Sequence, residues 1–268
     1  MEIMRIIYIR SSQVLSINPK QSVEVFHLIL LNHLGRKLDK QRWALKGGCN
    51  LRFFFRSPRY SDDMDLDVQG VPVDVLREKV NSILSGKPFK TILEVHGISI
   101  EHTTEHKQTE TTQRWKFGLT VPGLDEPVPT KIEFSRRGLE TGSVFEAVSP
   151  EIIRFYELPP LMANHYPAPV VWRQKIGAIL SRTTPQARDV FDLYLLLEAG
   201  LISTATPTAD KQPDIAQIRE NVLAVDFGQF KSQVVSYLES GLQPHYDSEE
   251  TWDAMRWRVI EALEEGHS

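Results

Sequence analysis

Two hydrophobic periods organise this chain. From Pro19 to about Leu34, Val23, Phe26, Ile29, Leu30 and Leu34 recur at helical spacing on one stripe, the pattern of a helix with one buried face. Asn18 suits the N-cap, Pro19 the first helical position and Gly35 the far end. Residues 43–46 read as a short strand, and residues 49–55 as a helix with Leu51, Phe54 and Phe55 turned inward. The period then changes: Asp63, Asp65 and Asp67 alternate with Met64, Leu66 and Val68. Alternation is the period of a strand, with carboxylates on one face and the core on the other. Residues 72–85 return to a helix, with Val75, Leu76, Val80, Ile83 and Leu84 inward, ended at Gly86-Lys87-Pro88. Strand-like segments follow at 90–95, 98–102, 115–121 and 130–135, and the polar run 102–114 reads as a solvated hairpin tip. Residues 3–15 read as a strand or an apolar lead-in.

Beyond residue 147 the alternation fades, and Pro159, Pro160, Pro167 and Pro169 mark a boundary region. The remainder reads as helical: 170–183 with Ile176, Ile179 and Leu180 inward, then 186–198 opened by Pro185, with Leu193, Leu196 and Leu197 in the core. A Thr/Pro/Ala loop at 201–212 precedes helices at 213–223, 229–238 and 249–264. The last carries Trp252, Met255, Trp257, Val259, Ile260 and Leu263 among acids, which suits core packing or a partner face rather than a basic nucleic-acid helix.

Composition narrows the class. At 268 residues the chain has room for one large domain or two ordinary ones, and 41% hydrophobic with 25% charged residues is a globular balance. A single cysteine, Cys49, excludes an intramolecular disulfide and a thiolate-rich metal site. No apolar run reaches the roughly 18 residues of a membrane span, and the N-terminus lacks a signal-peptide pattern, so a cytoplasmic protein is expected. A net charge of −4 argues against a general nucleic-acid coat, yet leaves RNA open as a substrate steered by a local basic cleft.

Candidate chemistry concentrates between residues 45 and 68. Asp63 and Asp65 on one strand face repel each other unless a cation sits between them, and hard oxygen ligands of this kind suit Mg²⁺ held together with substrate phosphates. Gly47 and Gly48 let backbone N–H groups approach an anion, and the helix that follows adds its positive end. Among Arg52, Arg56 and Arg59, one holds a triphosphate or all are solvated surface charge. Ser61 bonds a phosphate oxygen or orders the turn. Asp62 points away from Asp63 on a strand and is left out, whereas Asp67 shares the carboxylate side and suits supporting hydrogen bonds. His102 and His106 would have helical spacing for a metal pair, but their surroundings are strand and loop. Lys175 and Arg182, seven residues apart, share a helix face, and Asp189 and Asp192 are neighbours on the next helix. Arg188 and Asp192 could form an i, i+4 pair, although in the less favourable order.

Three blocks of the chain, in order, resemble the DNA polymerase β-like nucleotidyltransferase superfamily, and more narrowly the AbiEii/AbiGii toxin family. They are Gly47-Gly48 followed by Arg59-Tyr60-Ser61-Asp62-Asp63-Met64-Asp65, then Lys131-Ile132-Glu133, then Lys175, Arg182 and Arg188-Asp189-x-x-Asp192. The resemblance implies an α+β fold, with a nucleotidyltransferase domain at residues 1–150 holding a mixed sheet flanked by helices. A C-terminal helical bundle at 151–268 would lend Lys, Arg and Asp to the cleft. It also implies transfer of a nucleoside monophosphate from an NTP with release of pyrophosphate. Asp63, Asp65 and the third carboxylate, Glu133, would hold two Mg²⁺ ions about 3.5–4 Å apart. Gly47, Gly48 and Ser61 would hold phosphates, with Lys175 and Arg182 neutralising the leaving group. Arg59, Asp67, Arg188 and Asp189 are expected in support, while Asp189 or Asp192 would orient Lys175 or act on the acceptor. The implied partners are a separate antitoxin and an RNA acceptor such as tRNA, in a system that arrests growth or phage replication; GTP or a pyrimidine nucleotide is the implied donor. A protein hydroxyl or small-molecule acceptor, or a non-catalytic binding module, are the competing readings.

Overall fold

The computed structural model describes residues 17–203 and 214–266. The lead-in expected at 3–15, and most of the loop expected at 201–212, lie outside them. Helix α1 (Pro19–Lys37) begins as the sequence predicts: Asn18 accepts the Gln21 N–H and the Gln21 side chain accepts the Asn18 N–H, which satisfies two otherwise orphaned donors. Gly35 does not end it. The helix runs on to Lys37, with Arg36 and Lys37 at the negative end of its dipole.

Strand β1 (Trp43–Lys46) runs directly into α2 (Gly47–Phe55), and β2 (Asp63–Val68) returns antiparallel to β1. In α2, Leu51 and Phe53 are buried while Phe54 and Phe55 are only half-buried, so the inward face is rotated from the expected one. Helices α3 (Val73–Ser85) and α4 (Lys87–Val95) follow. The strand expected at 90–95 is thus helix, because Pro88 opens it and Phe89, Ile92 and Leu93 fall at helical spacing toward the core.

Strands β3 (Ser99–Gln108) and β4 (Thr112–Thr120) form a hairpin whose turn is only residues 109–111. The polar run 102–114 is therefore largely paired strand; backbone hydrogen bonds there outweigh the polarity of the side chains. Next come β5 (Val128–Ser135), β6 (Val144–Ala147), α5 (Pro150–Phe155) and β7 (Met162–His165). The seven strands lie in the order β3-β4-β5-β2-β1-β7-β6, with β2–β5 and β1–β7 parallel and the other pairs antiparallel. The sheet consequently extends past residue 150 through β7, a four-residue strand too short for its period to be read.

Two apolar clusters hold the molecule together. The first packs α1, α3 and α4 against the face bearing Met64, Leu66, Trp115, Phe117, Ile132 and Phe134. The second runs from Tyr166 to Leu263 and takes in Ala44 and Leu51 from the sheet domain. It is built by α6 (Ala168–Ser181), α7 (Ala187–Glu198), α8 (Ile215–Leu223), α9 (Phe227–Gln233), α10 (Gln243–Tyr246) and α11 (Glu249–Glu265). Trp252 stacks on Phe230 at 4.3 Å, whereas Trp257 stays 43% exposed. The helix expected over 229–238 breaks after Gln233 into a 3-10 turn at Val235–Tyr237. That break lets the chain pair with the loop before β2: Arg59 bridges Leu238, and the Tyr60 N–H donates to the Tyr237 carbonyl at 2.8 Å.

Candidate active site

The cleft forms where the β1–α2 junction, β2 and the C-terminal helices meet. Gly47 has φ of 68°, in the left-handed region, and a Cβ there would lie 3.0 Å from Asp65 Oδ2. A Cβ on Gly48 would lie 2.7 Å from Ser61 Oγ and 3.3 Å from Arg59 Nη2. Glycine at both positions thus brings backbone against the functional side chains. Lys46, the N-cap of α2, makes no side-chain capping bond, so the first N–H groups of the helix face the cleft with no cap. Uncapped N–H groups of this kind can take an anion, and the arrangement has the shape of a cradle for one. Ser61 closes it, its hydroxyl donating to the Asp63 carbonyl at 2.9 Å.

The floor is the carboxylate face of β2. Lys131 Nζ sits 2.7 Å from Asp63 Oδ2. Burial, and then the charge of Asp63, push the Asp65 carboxyl above its usual range, partly offset by Lys131. A divalent cation would relieve that repulsion, and the hard-oxygen pair beside the space a Gly47 Cβ would fill fits Mg²⁺. Parallel pairing of β2 with β5 places Glu133 directly beside Asp65. Its carboxylate, however, is held by Arg114 at 2.5 and 2.6 Å, and does not line the cleft. Among the described residues no three His, Cys, Asp or Glu side chains form a ready-made metal cage. Asp67 lies further along β2, buried, binding Lys46 at 2.5 Å and accepting the Tyr166 hydroxyl at 2.9 Å.

The opposite wall comes from α6 and α7. Lys175 is buried between Asp189 at 2.9 Å and Asp192 at 2.5 Å. Asp189 also meets Arg182 at 3.0 Å, and Asp192 meets Arg59 at 3.3 Å. Three cations and two carboxylates alternate in one network, leaving a net positive charge facing the cradle. Burial works against the Lys175 ammonium, but Asp192 and Asp189 outweigh it and its pKa is raised. Arg188 is exposed on the cleft rim and forms no ion pair with Asp192, whose partners are tertiary. Of the other two arginines near the turn, Arg52 is buried against Glu24 at 2.6 Å, and Arg56 is exposed and paired with Glu151.

The resulting cleft, about 270 Å³, is lined by Gly47, Gly48, Arg59, Ser61, Asp63, Asp65, Lys175, Arg182, Arg188 and Asp189, with Asp192 beneath Lys175. A larger cavity of about 470 Å³, bounded by Arg52, Tyr60, Phe155 and Tyr156, lacks paired carboxylates on a strand, and the start of α1 that reaches it is already capped by Asn18 and Gln21. Sequence reasoning missed several lining residues: Asp62, Lys131, Ser232, Gln233 and Tyr237. Lys131 was legible, since alternation puts it on the Glu133 face. Asp62 lines the cleft although strand alternation would turn it away from Asp63, because the strand starts only at Asp63 and its alternation does not govern the residue before. The Tyr237 phenol, hydrogen-bonded to Asp62, is pushed up to about 12, while burial raises Asp62 itself. Nothing in the local sequence marks residues 232–237 as part of a site.

A family model described as nucleotidyl transferase AbiEii toxin, type IV toxin–antitoxin system, matches residues 29–254. No curated protein matches the chain in sequence. Among solved structures, JHP933 from Helicobacter pylori is similar with a TM-score of 0.58 at 18% identity, covering 94% of this chain and 96% of its own. MenT4, a nucleotidyltransferase toxin from Mycobacterium tuberculosis H37Rv, is similar with a TM-score of 0.57 at 19% identity, covering 95% and 87%. At such identities these two likenesses are of fold.

Proposed function

This chain belongs to the AbiEii nucleotidyl transferase toxin family, and we propose that it transfers a nucleoside monophosphate from an NTP to RNA, with tRNA as the acceptor class to test first. The enzyme is a nucleotidyltransferase. One observation carries the finer reading: a glycine-lined helix N-terminus, two strand carboxylates and a buried lysine converge on a single cleft.

Asp63 and Asp65 would hold Mg²⁺, with Glu133 joining them once released by Arg114; the metal would supply charge stabilisation at the reacting phosphate. Gly47, Gly48 and Ser61 bind the terminal phosphates through N–H and O–H donors. An acceptor hydroxyl attacks the α-phosphorus and gives its proton to a cleft carboxylate, the bond from phosphorus to the bridging oxygen breaks, and pyrophosphate leaves. Lys175 and Arg182 stabilise the charge that builds on that leaving group. Asp192 and Asp189 hold Lys175 in place, and Arg59 ties Asp192 to the cradle. The catalytic unit is the sheet domain together with the face of α6 and α7, with the division between them near Tyr166, where the second apolar cluster starts. A separate antitoxin would act on this chain in the bacterial cytoplasm.

Incubation with labelled NTPs, Mg²⁺ and total RNA tests the reading. Label on RNA, abolished by Asp63→Ala, is the expected result. Label confined to protein or a small molecule would move the acceptor elsewhere, and no label with any NTP would remove the catalytic reading.

A further inference from the structure

Helices α1, α3 and α4 cover one side of the sheet, but its catalytic side is open from β5 outward. Register defines what that open face presents. Lys131 and Glu133 on β5 pair across to Lys116 and Arg114 on β4. Lys116 and Arg114 pair in turn with Thr104 and Lys107 on β3, and Gly118 pairs with His102. Strand side chains alternate, so these residues share the face that carries Asp63 and Asp65. Of the four cations there, Arg114 is paired with Glu133 and Lys131 with Asp63, which leaves Lys107 and Lys116 against Glu101 at the far rim. Lys107 and Lys116 are exposed and form no ion pair among the described residues. In a chain of net charge −4 this is a local reversal of sign.

A ring lies on the same surface. The His102 imidazole occupies the space over Gly118, where a Cβ would come within 2.1 Å of it. The glycine therefore lets the ring rest on the β4 backbone with its side chain exposed.

We propose that the open face of β5, β4 and β3 is the track on which the RNA acceptor lies. On it Lys116 and Lys107 hold phosphates and His102 offers a stacking surface. The inference rests on the RNA-acceptor reading above and gives it a location. Three strand spacings of about 4.8 Å put β3 about 14 Å from the β2 carboxylates. A strand bearing a phosphate every few ångströms spans that distance in a few nucleotides, with its end at the cleft. The chemistry matches what sequence-tolerant nucleic-acid surfaces use: cations that follow the backbone and flat rings for bases.

The test is binding of fluorescein-labelled bulk tRNA by anisotropy across a salt series, together with nucleotide transfer and NTP binding. The Lys107→Glu/Lys116→Glu variant should weaken RNA binding by about tenfold or more and flatten the salt slope by about 0.7 for each phosphate no longer neutralised. It should raise the KM for RNA and leave NTP binding unchanged. Lys87→Glu/Lys90→Glu on α4, with the same change in net charge, should do neither. His102→Ala should weaken binding several-fold without altering the slope, and Gly118→Ala, which displaces the ring, should follow it. If the wild-type protein labels RNA but the β3/β4 variant binds and labels it equally well, the track is overturned while the RNA reading survives. Equal losses in the α4 variant would also overturn it, since long-range charge would then suffice. A wild-type protein that neither binds nor labels RNA removes the acceptor reading itself.

Discussion

Replacing Asp192 with asparagine removes a charge while keeping the shape. The residue is fully buried, and it neutralises Lys175 at 2.5 Å and Arg59 at 3.3 Å, which are themselves 9% and 6% exposed. Taking one partner from a buried pair costs about 3–5 kcal/mol, because the remaining charge stays desolvated. Lys175 keeps Asp189, so the low end, about 3 kcal/mol, is expected. With an unfolding entropy of roughly 2.1 cal/mol/K per residue over 268 residues, that lowers Tm by about 5 °C. Lys175 should also lose its fixed position, and misplacing one electrostatic stabiliser costs on the order of a hundredfold in transfer rate. Calorimetry and labelled-NTP transfer measure the two effects separately. Adding Lys175→Met should restore little activity yet show a coupling energy of about 1–3 kcal/mol in the cycle. An Asp192→Asn protein that melts within a degree of wild type and transfers at an undiminished rate would refute the network.

Two further outcomes follow from the same geometry. Gly48→Ala places a methyl group 2.7 Å from Ser61 Oγ and 3.3 Å from Arg59, so Ser61 must shift; NTP affinity should fall about tenfold, in line with roughly 1–3 kcal/mol of overpacking, as calorimetric titration would show. For Asp189, burial pushes its carboxyl up, but Lys175 and then Arg182 outweigh burial and hold it below the usual range. A depressed carboxylate gives stability above the unfolded value, near pH 4, that is lost as pH falls through the lower folded value. The stability deficit of Asp189→Asn should therefore be full at pH 7 and shrink below about pH 4, in chemical denaturation at each pH. Lys175, raised in the fold, contributes stability that is complete below about pH 10.4 and lost as pH rises through its folded value.

Local regularities made much of this protein legible. Alternation at Asp63–Val68 gives the strand and its two faces directly, since side-chain direction in a strand has period two. Asn18-Pro19 with Gln21 gives a helix start, because its capping bonds span only three residues. Where the expectation failed, the deciding force came from outside the segment. Residues 102–108 are strand because β4 offers them a backbone partner, and 112–114 are the start of β4 itself. In α2, Phe53 is buried in the first apolar cluster, while Phe54 and Phe55 pack at the edges of the first and second.

The chain alone therefore determined the local element on which most of the candidate residues sit. Tertiary structure alone decided their company. Arg59 and Asp192, 133 residues apart, share a salt bridge; Asp62 meets a tyrosine from a 3-10 turn; and Glu133, beside Asp65 in register, is turned to Arg114. Such pairings are set by desolvation and Coulomb energy between segments that meet only after folding, and no local period encodes them.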